Sequence, residues 1–422
     1  MKRFLSILLA VLMLAVMLPV TAMAAGAPTQ EGNVWKNVDP NNIQALLDGQ
    51  YGSINGTTIE LSAGTYGQLE LGRATKHPGS NTTWYNGKWD GTAWIRVEPA
   101  VDKVENINRD VIHFYDRTIS GVTLKAAPNA EISVAGIKMT SGHIYGVEGT
   151  PAKDYVLDFE ISSTVNSYYL AQTVSNITFE GITFAARSDI NTSNERTTIN
   201  GITFRNCTFN INNTAADNQA IRYYNENNNS NLTNLTVENC KFNNCFQGVL
   251  ATNTKNITVK DCTFDTTGHN AIAIQDSGAC DHGNVVITGN TFNNIGDRII
   301  RFNKPAEGTT ITITKNTAVN SGKDVDGKKE VIAAEITPLE GVSVTMAGNK
   351  WGENTKFGKG FENVVDKPIP EPSGPIIIYP PTDDTPNTTT GNPTTGANDF
   401  VGIAAAAAVV ALLGSAVILR KK

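Results

Sequence analysis

The chain has 422 residues, with 34 basic and 40 acidic side chains and a net charge of −6. Only 18% of residues are charged and 7% aromatic, while 37 are glycine and 40% are apolar. This allows two or three ordinary domains or one elongated solenoid, excludes a wholly disordered chain, and gives no basic excess for a nucleic-acid partner.

At the N-terminus, Lys2 and Arg3 precede an uncharged apolar run from Phe4 to Val20, followed by the small-x-small triplet Ala22-Met23-Ala24. This pattern predicts a secretory signal peptide over residues 1–24, cut between Ala24 and Ala25. Residues 25–110 read as an N-terminal cap and first coil carrying an insertion. Asp39-Pro40 starts a short helix with Ile43, Leu46 and Leu47 on one face, ending at Gly49. Thr58-Ile59-Glu60-Leu61 then leads into Gly64-Thr65-Tyr66. The insertion holds Trp84, Tyr85, Trp89 and Trp94, with Asn86-Gly87 and Asp90-Gly91 as turn signals. Aromatic faces stack on the C–H face of a pyranose, so these four are candidate ligand-binding residues; packing of the insertion onto the first coils explains them equally well.

Residues 111–365 carry an internal repeat. Ile119-Ser120-Gly121-Val122-Thr123-Leu124 and Val134-Ala135-Gly136-Ile137-Lys138-Met139 introduce its strand pattern. Asn176-Ile177-Thr178-Phe179-Glu180-Gly181-Ile182-Thr183-Phe184 then recurs in units ending at residues 209, 242, 264, 292, 318 and 351, which are 22 to 33 apart. Period-two alternation inside each unit marks strands with one buried face. Units of this length built of strands fit coils of a parallel β-helix. A second strand follows in each coil, predicting an interior row of Ile221, Val249, Ile272, Ile300 and Ile332. Arg222, Leu250, Ala273, Arg301 and Ala333 are expected on the outside. Residues 186–270 contain twenty Asn, a residue that tolerates left-handed turns and forms stacked ladders.

Cys207, Cys240 and Cys262 share one repeat position, later taken by Asn290, Asn316 and Asn349. They are expected to be small buried thiols filling one column; Cys245 and Cys280 are expected in turns. No Cys-x-x-Cys or His-rich cluster suggests a metal site.

Residues 366–391 form a Pro/Thr-rich stretch that cannot bury a core and reads as an extended stalk. Residues 392–422 hold Asn392-Pro393-Thr394-Thr395-Gly396, an uncharged apolar stretch over 400–419 long enough to span a bilayer, and the basic end Arg420-Lys421-Lys422. This order resembles the cell-wall sorting signal of Gram-positive surface proteins, the LPXTG type, with Asn392 in place of the usual Leu. The resemblance implies a sortase that cuts between Thr395 and Gly396 and joins Thr395 to the peptidoglycan precursor, after transient membrane anchoring by the C-terminal helix. Processing at both ends removes five positive charges and one negative, leaving 371 residues with a net charge of −10.

The helix, strand, Gly-Thr-Tyr and coils together resemble the right-handed parallel β-helix proteins of the pectin-lyase-like superfamily, over residues 36–355. Enzymes of that superfamily place catalysis in a groove along one sheet, with a Lys or Arg base and Ca²⁺ in lyases or paired Asp in hydrolases. This chain has no Asp-Asp dipeptide in its coils, no Gly-His-Gly and no Arg-Ile-Lys. The nearest constellation is Asp217, His269 and Asp297 with Arg222 and Arg301, and Asp276, Asp281 and His282 beyond it. An Arg pair can grip a sugar carboxylate, but ordinary solvent-facing turn residues are the blander explanation.

The sequence therefore leads to an all-β fold, a secreted solenoid held at the cell wall. The expected role is binding of extracellular polysaccharide or host glycans, without a cofactor. The alternatives are a polysaccharide lyase or glycoside hydrolase, Ca²⁺ being relevant only to the lyase, and a structural surface spacer. Converging ionisable residues in a walled groove would favour the enzyme, and a flat Asn/Thr-rich face would favour binding.

Overall fold

The computed structural model describes residues 26–72, 82–89, 94–101, 112–140, 171–192, 197–214, 218–225, 231–275, 280–336 and 339–369. All fall in the first of two units, Met1–Ile369; the signal peptide, most of the stalk and the sorting segment lie outside the described residues.

The chain folds as a parallel β-helix. Two large sheets of 15 and 16 strands are built almost wholly from parallel neighbours one coil apart. Each full coil has three strands rather than the two expected. In one coil these are Thr197–Arg205, Thr208–Asn213 and Gln219–Asn225; in the next, Leu232–Glu238, Lys241–Cys245 and Gln247–Thr252. Stacking the coils gives a first, second and third face. The second and third belong to one sheet because the long strand Ile132–Thr140 pairs with both rows. That strand bends at Gly136 (φ 145°), where a Cβ would lie 2.2 Å from the Arg187 carbonyl oxygen. Only glycine fits this close approach.

The extra corner comes from one left-handed residue per coil. Gly181, Asn206, Asn239, Asp261, Gly289, Lys315 and Gly348 all have positive φ and end the first-face strand. The following residue turns inward, and the alternation restarts one position out of phase. The repeat motif is thus two short strands around a corner. A second left-handed column, Asn212, Asn244, Thr266, Asn294 and Asn320, precedes the third face.

The core is continuous along the axis. Phe184, Phe209, Phe242, Phe264 and Phe292 stack with ring centroids 5.0, 4.7, 4.4 and 5.2 Å apart. Each stacked pair adds about 1 kcal/mol beyond burial of its area. Ile221, Val249, Ile272, Ile300 and Ile332 form the expected interior row and are fully buried. Their outward neighbours Arg222, Leu250, Ala273, Arg301 and Ala333 are in register, yet Leu250, Ala273 and Ala333 are buried. A methyl side chain lies below the level of the longer residues on adjoining rungs, which explains the alanines.

The cysteine column is buried and none of the five cysteines forms a disulfide. Cys207 Sγ contacts the Phe179 carbonyl oxygen at 3.3 Å, and Cys240 Sγ that of Phe204 at 3.4 Å. The column then becomes an amide ladder. Asn290 Nδ2 donates to Asn316 Oδ1 at 3.0 Å, and Asn316 Nδ2 to Asn349 Oδ1 at 2.9 Å. Cys245 is not in a turn: it ends the strand Lys241–Cys245 and faces the core, where burial pushes its thiol up to about 12. Cys280 makes an isolated bridge with Pro305.

The ends are closed differently. The helix α1 (Ile43–Leu47) buries Ile43, Leu46 and Leu47 at the N-terminal end. Gln44 clips it to the third face, its Nε2 donating to Glu70 O at 2.9 Å and its Oε1 accepting from Glu70 N at 3.0 Å. At the other end Asp366–Lys367, placed by sequence in the stalk, pairs with Ser343–Ala347 as the last rung. Asp366 Oδ2 accepts from Trp351 Nε1 at 3.0 Å. The aromatic insertion is an antiparallel hairpin, Thr82–Trp89 against Trp94–Val101, joined to Ile112–Ser120. Asn86-Gly87 does not turn; it lies within the first hairpin strand beside a register shift.

Candidate functional site

The residues singled out in the sequence fall at two different corners. Phe246, His269 and Asp297 occupy successive rungs of the corner between the second and third faces, linked by backbone hydrogen bonds of 2.8 and 3.3 Å. His269 Nε2 lies 3.2 Å from Asp297 Oδ2, and its Nδ1 lies 3.5 Å from Gln247 Nε2. Its ring stacks on Phe246 at 5.0 Å. Burial pushes the His269 pKa below its ordinary value; Asp297 opposes this, and Arg301 and Arg298 reinforce it. We therefore assign a neutral imidazole that donates Nε2–H to Asp297 and accepts at Nδ1 from Gln247. Both ring nitrogens are then occupied by protein.

The cations around this dyad are similarly matched. Arg298 reaches Glu330 at 2.5 Å and Asp297 at 3.4 Å. Arg301 pairs with Glu335. Arg222 pairs with Asp189 at 3.2 Å and covers the Tyr224 ring at 4.3 Å. Arg222 and Arg301 are separated by the Leu250 and Ala273 rungs. At ~4.8 Å per rung they stand roughly 14 Å apart, so they do not form a clamp on one carboxylate. Asp217 and Asp276 lie outside the described residues.

Asp281 and His282 belong to the opposite corner, between the third and first faces. Asp281 pairs with Lys255 at 2.8 Å and accepts from Gly283 N at 2.7 Å, which hold its carboxyl below the usual range. His282 is fully buried, its Nδ1 2.8 Å from the Thr254 carbonyl oxygen, and it serves the stack of coils. Among the described residues no group of three or more His, Cys, Asp or Glu is placed to hold a metal ion. Of the aromatic candidates, the backbone register sets Trp89 opposite Trp94, Trp84 opposite Val101 and Tyr85 opposite Ala100.

The outward rows of the other two faces carry signals that reading single motifs missed. On the first face, Glu60, Lys125, Glu180, Arg205, Glu238 and Lys260 form one column of alternating charge. Lys125 reaches Glu60 at 3.2 Å, Lys260 reaches Glu238 at 2.7 Å, and Arg205 bridges Glu180 and Glu238. The second face presents Thr65, Ser133, Thr183, Thr208, Lys241, Thr263, Thr291 and Thr317 in one column. Beside it run Asn210, Asn243, Asp265 and Asn293. Asn243 Nδ2 donates to Asn210 Oδ1 at 2.7 Å. Among the described residues, the side chains of Thr208, Thr263, Thr291, Thr317 and Asn293 make no hydrogen bond to protein. The signal was present as the recurring Thr-Phe-Asn or Thr-Phe-Asp triplet, which puts Phe inside and its two polar neighbours outside.

A shallow open depression of about 600 Å³ lies at the N-terminal end of this face, lined by Gly64, Thr65, Ala130, Glu131, Ile132, Ser133, Gly181 and Thr183. Among the described residues that line it, Glu131 is the one ionisable group, and they include no carboxylate pair of the kind used in glycoside hydrolysis. Comparison with protein-family models, with characterised proteins and with solved structures gives no match for this chain.

Proposed function

We propose that this chain is a secreted, cell-wall-anchored surface protein of the right-handed, pectin-lyase-like β-helix type, which binds glycans of its surroundings or of a host surface. The observation that carries the binding role is the second face, a flat surface of hydroxyl and amide groups with few charges and free hydrogen-bonding capacity. The corner holding His269 supports the same reading, because its imidazole and its cations already have protein partners. Anchoring rests on the order of Asn392-Pro393-Thr394-Thr395-Gly396, apolar stretch and basic end; sortase and the peptidoglycan precursor are the implied partners.

Two experiments test this. Thr395→Ala, or Pro393→Ala, is expected to move the protein out of the covalently wall-bound fraction; unchanged retention after lysozyme and detergent fractionation sinks the anchoring claim. For binding, full-length protein in mild detergent is screened on a panel of immobilised glycans. Retention without chain cleavage supports the role. Unsaturated or reducing ends released from the same polymers would replace it with the lyase or hydrolase.

A further inference from the structure

The binding role leaves open which surface meets the glycan and what kind of glycan it meets. The three faces differ in what they have left to offer. On the first face the charged column is consumed by its own neighbours: Lys125, Arg205 and Lys260 each have a carboxylate within 4.0 Å. On the third face the outward row includes the buried Leu250, Ala273 and Ala333, and Arg222 and Arg301 are ion-paired.

The first face also carries an outward threonine row, Thr123, Thr178, Thr203, Thr236 and Thr258, but sets it beside that charged column. The second face differs in having few charges beside its hydroxyls. Its hydroxyl column repeats once per coil, about every 4.8 Å, from the depression at Thr65 to Thr317. Lys241 and Asp265 are the charged members of its two columns and offset each other. An acidic polymer such as a uronate or a teichoic acid would find a single cation there. A neutral polysaccharide would find rows of donors and acceptors at nearly constant spacing, close to the advance of one sugar in an extended chain. The depression lies on the same column, bordered by Thr65, Ser133 and Thr183, and gives the flat face a concave end. Its size, though not its open polar lining, falls in the range of about 300–1,000 Å³ typical of ligand clefts.

The geometry points to the second face as the glycan-binding surface and to an uncharged, extended polysaccharide lying along the coil axis, its chain end in the depression beside Ser133. This inference rests on the proposed binding role and specifies its surface and ligand class.

The test uses affinity gel electrophoresis of the full-length protein in mild detergent, in gels containing mixed-linkage β-glucan, galactomannan or polygalacturonate. Two variants are compared. Thr263→Val/Thr291→Val removes two hydroxyls of the second face while keeping β-branched side chains. Thr203→Val/Thr236→Val makes the same change in the outward threonine row of the first face. The unchanged protein is expected to be retarded by a neutral gel and not by polygalacturonate. The second-face variant is expected to lose at least fivefold in apparent affinity, and the first-face variant to match the parent. A thermal melt confirms that both variants fold. Retardation by polygalacturonate alone overturns the ligand class, and equal loss in both variants or in neither overturns the surface. No retardation in any gel overturns the binding role itself.

Discussion

The second face and its corner with the third face are made by the same coils, yet they treat polar groups in opposite ways. At the corner, His269, Asp297, Arg298 and Glu330 turn toward one another and leave little for a ligand. On the face, Thr263 and Thr291 stand one rung apart with Asn293 beside Thr291 on the same strand, and their side chains have no protein partner among the described residues. The lesson is that chemical variety and capacity to bind are separate properties. The corner holds the more reactive residue types and is closed; the face is chemically plain and open. The two regions should therefore respond oppositely, the corner in stability and the face in binding.

The largest stability effect is expected from Glu330→Gln, which keeps the shape and leaves the largely buried Arg298 with Asp297 alone. Discounting for partial exposure, the loss is about 2 kcal/mol, read as a lower urea midpoint at unchanged slope. A change below about 0.5 kcal/mol would show that the corner network is not structural.

Next is Thr266→Asn. Thr266 is the β-branched member of a left-handed column otherwise made of asparagine, with φ 59°. Relief of that strain is expected to raise stability by about 1 kcal/mol, and a destabilised variant would refute this account of the column.

A smaller effect is pH dependence. The folded-state pKa of His269 lies below its ordinary value, so below about pH 6.5 the unfolded chain takes up the proton first. Stability from this group is fully present above that pH and falls as the pH drops below it toward the lower folded-state pKa. His269→Gln should flatten that part of the stability curve; an unchanged slope contradicts the assignment. Smallest of all, Thr263→Val and Thr291→Val should each move stability by less than about 0.5 kcal/mol, as surface changes do.

The repeat, the phenylalanine row, the interior Ile221 row and the Cys-to-Asn column were legible in the sequence because buried stacks impose one residue class per coil. The third strand of each coil was not. The phase slip at Gly181, Asn206, Asn239 and Asp261 is visible only if the inward residue after it, such as Cys207, is seen to break the alternation. The candidate site was legible as residues but not as geometry. His269 and Asp297 lie one rung apart, whereas the spacing of Arg222 and Arg301 depended on how many coils lie between them. Hydrogen bonds such as Asn42 Nδ2 to Asn37 O at 2.9 Å, which help seat α1, belong to tertiary structure and leave no periodic signature.

The central claim is that the plain face binds and the charged corner does not. The direct measurement compares Thr263→Val/Thr291→Val with Glu330→Gln in the same neutral polysaccharide gels, below both melting midpoints. The first variant is expected to keep its stability and lose retardation, and the second to lose stability and keep retardation. Retardation lost in Glu330→Gln and kept in Thr263→Val/Thr291→Val would contradict that claim.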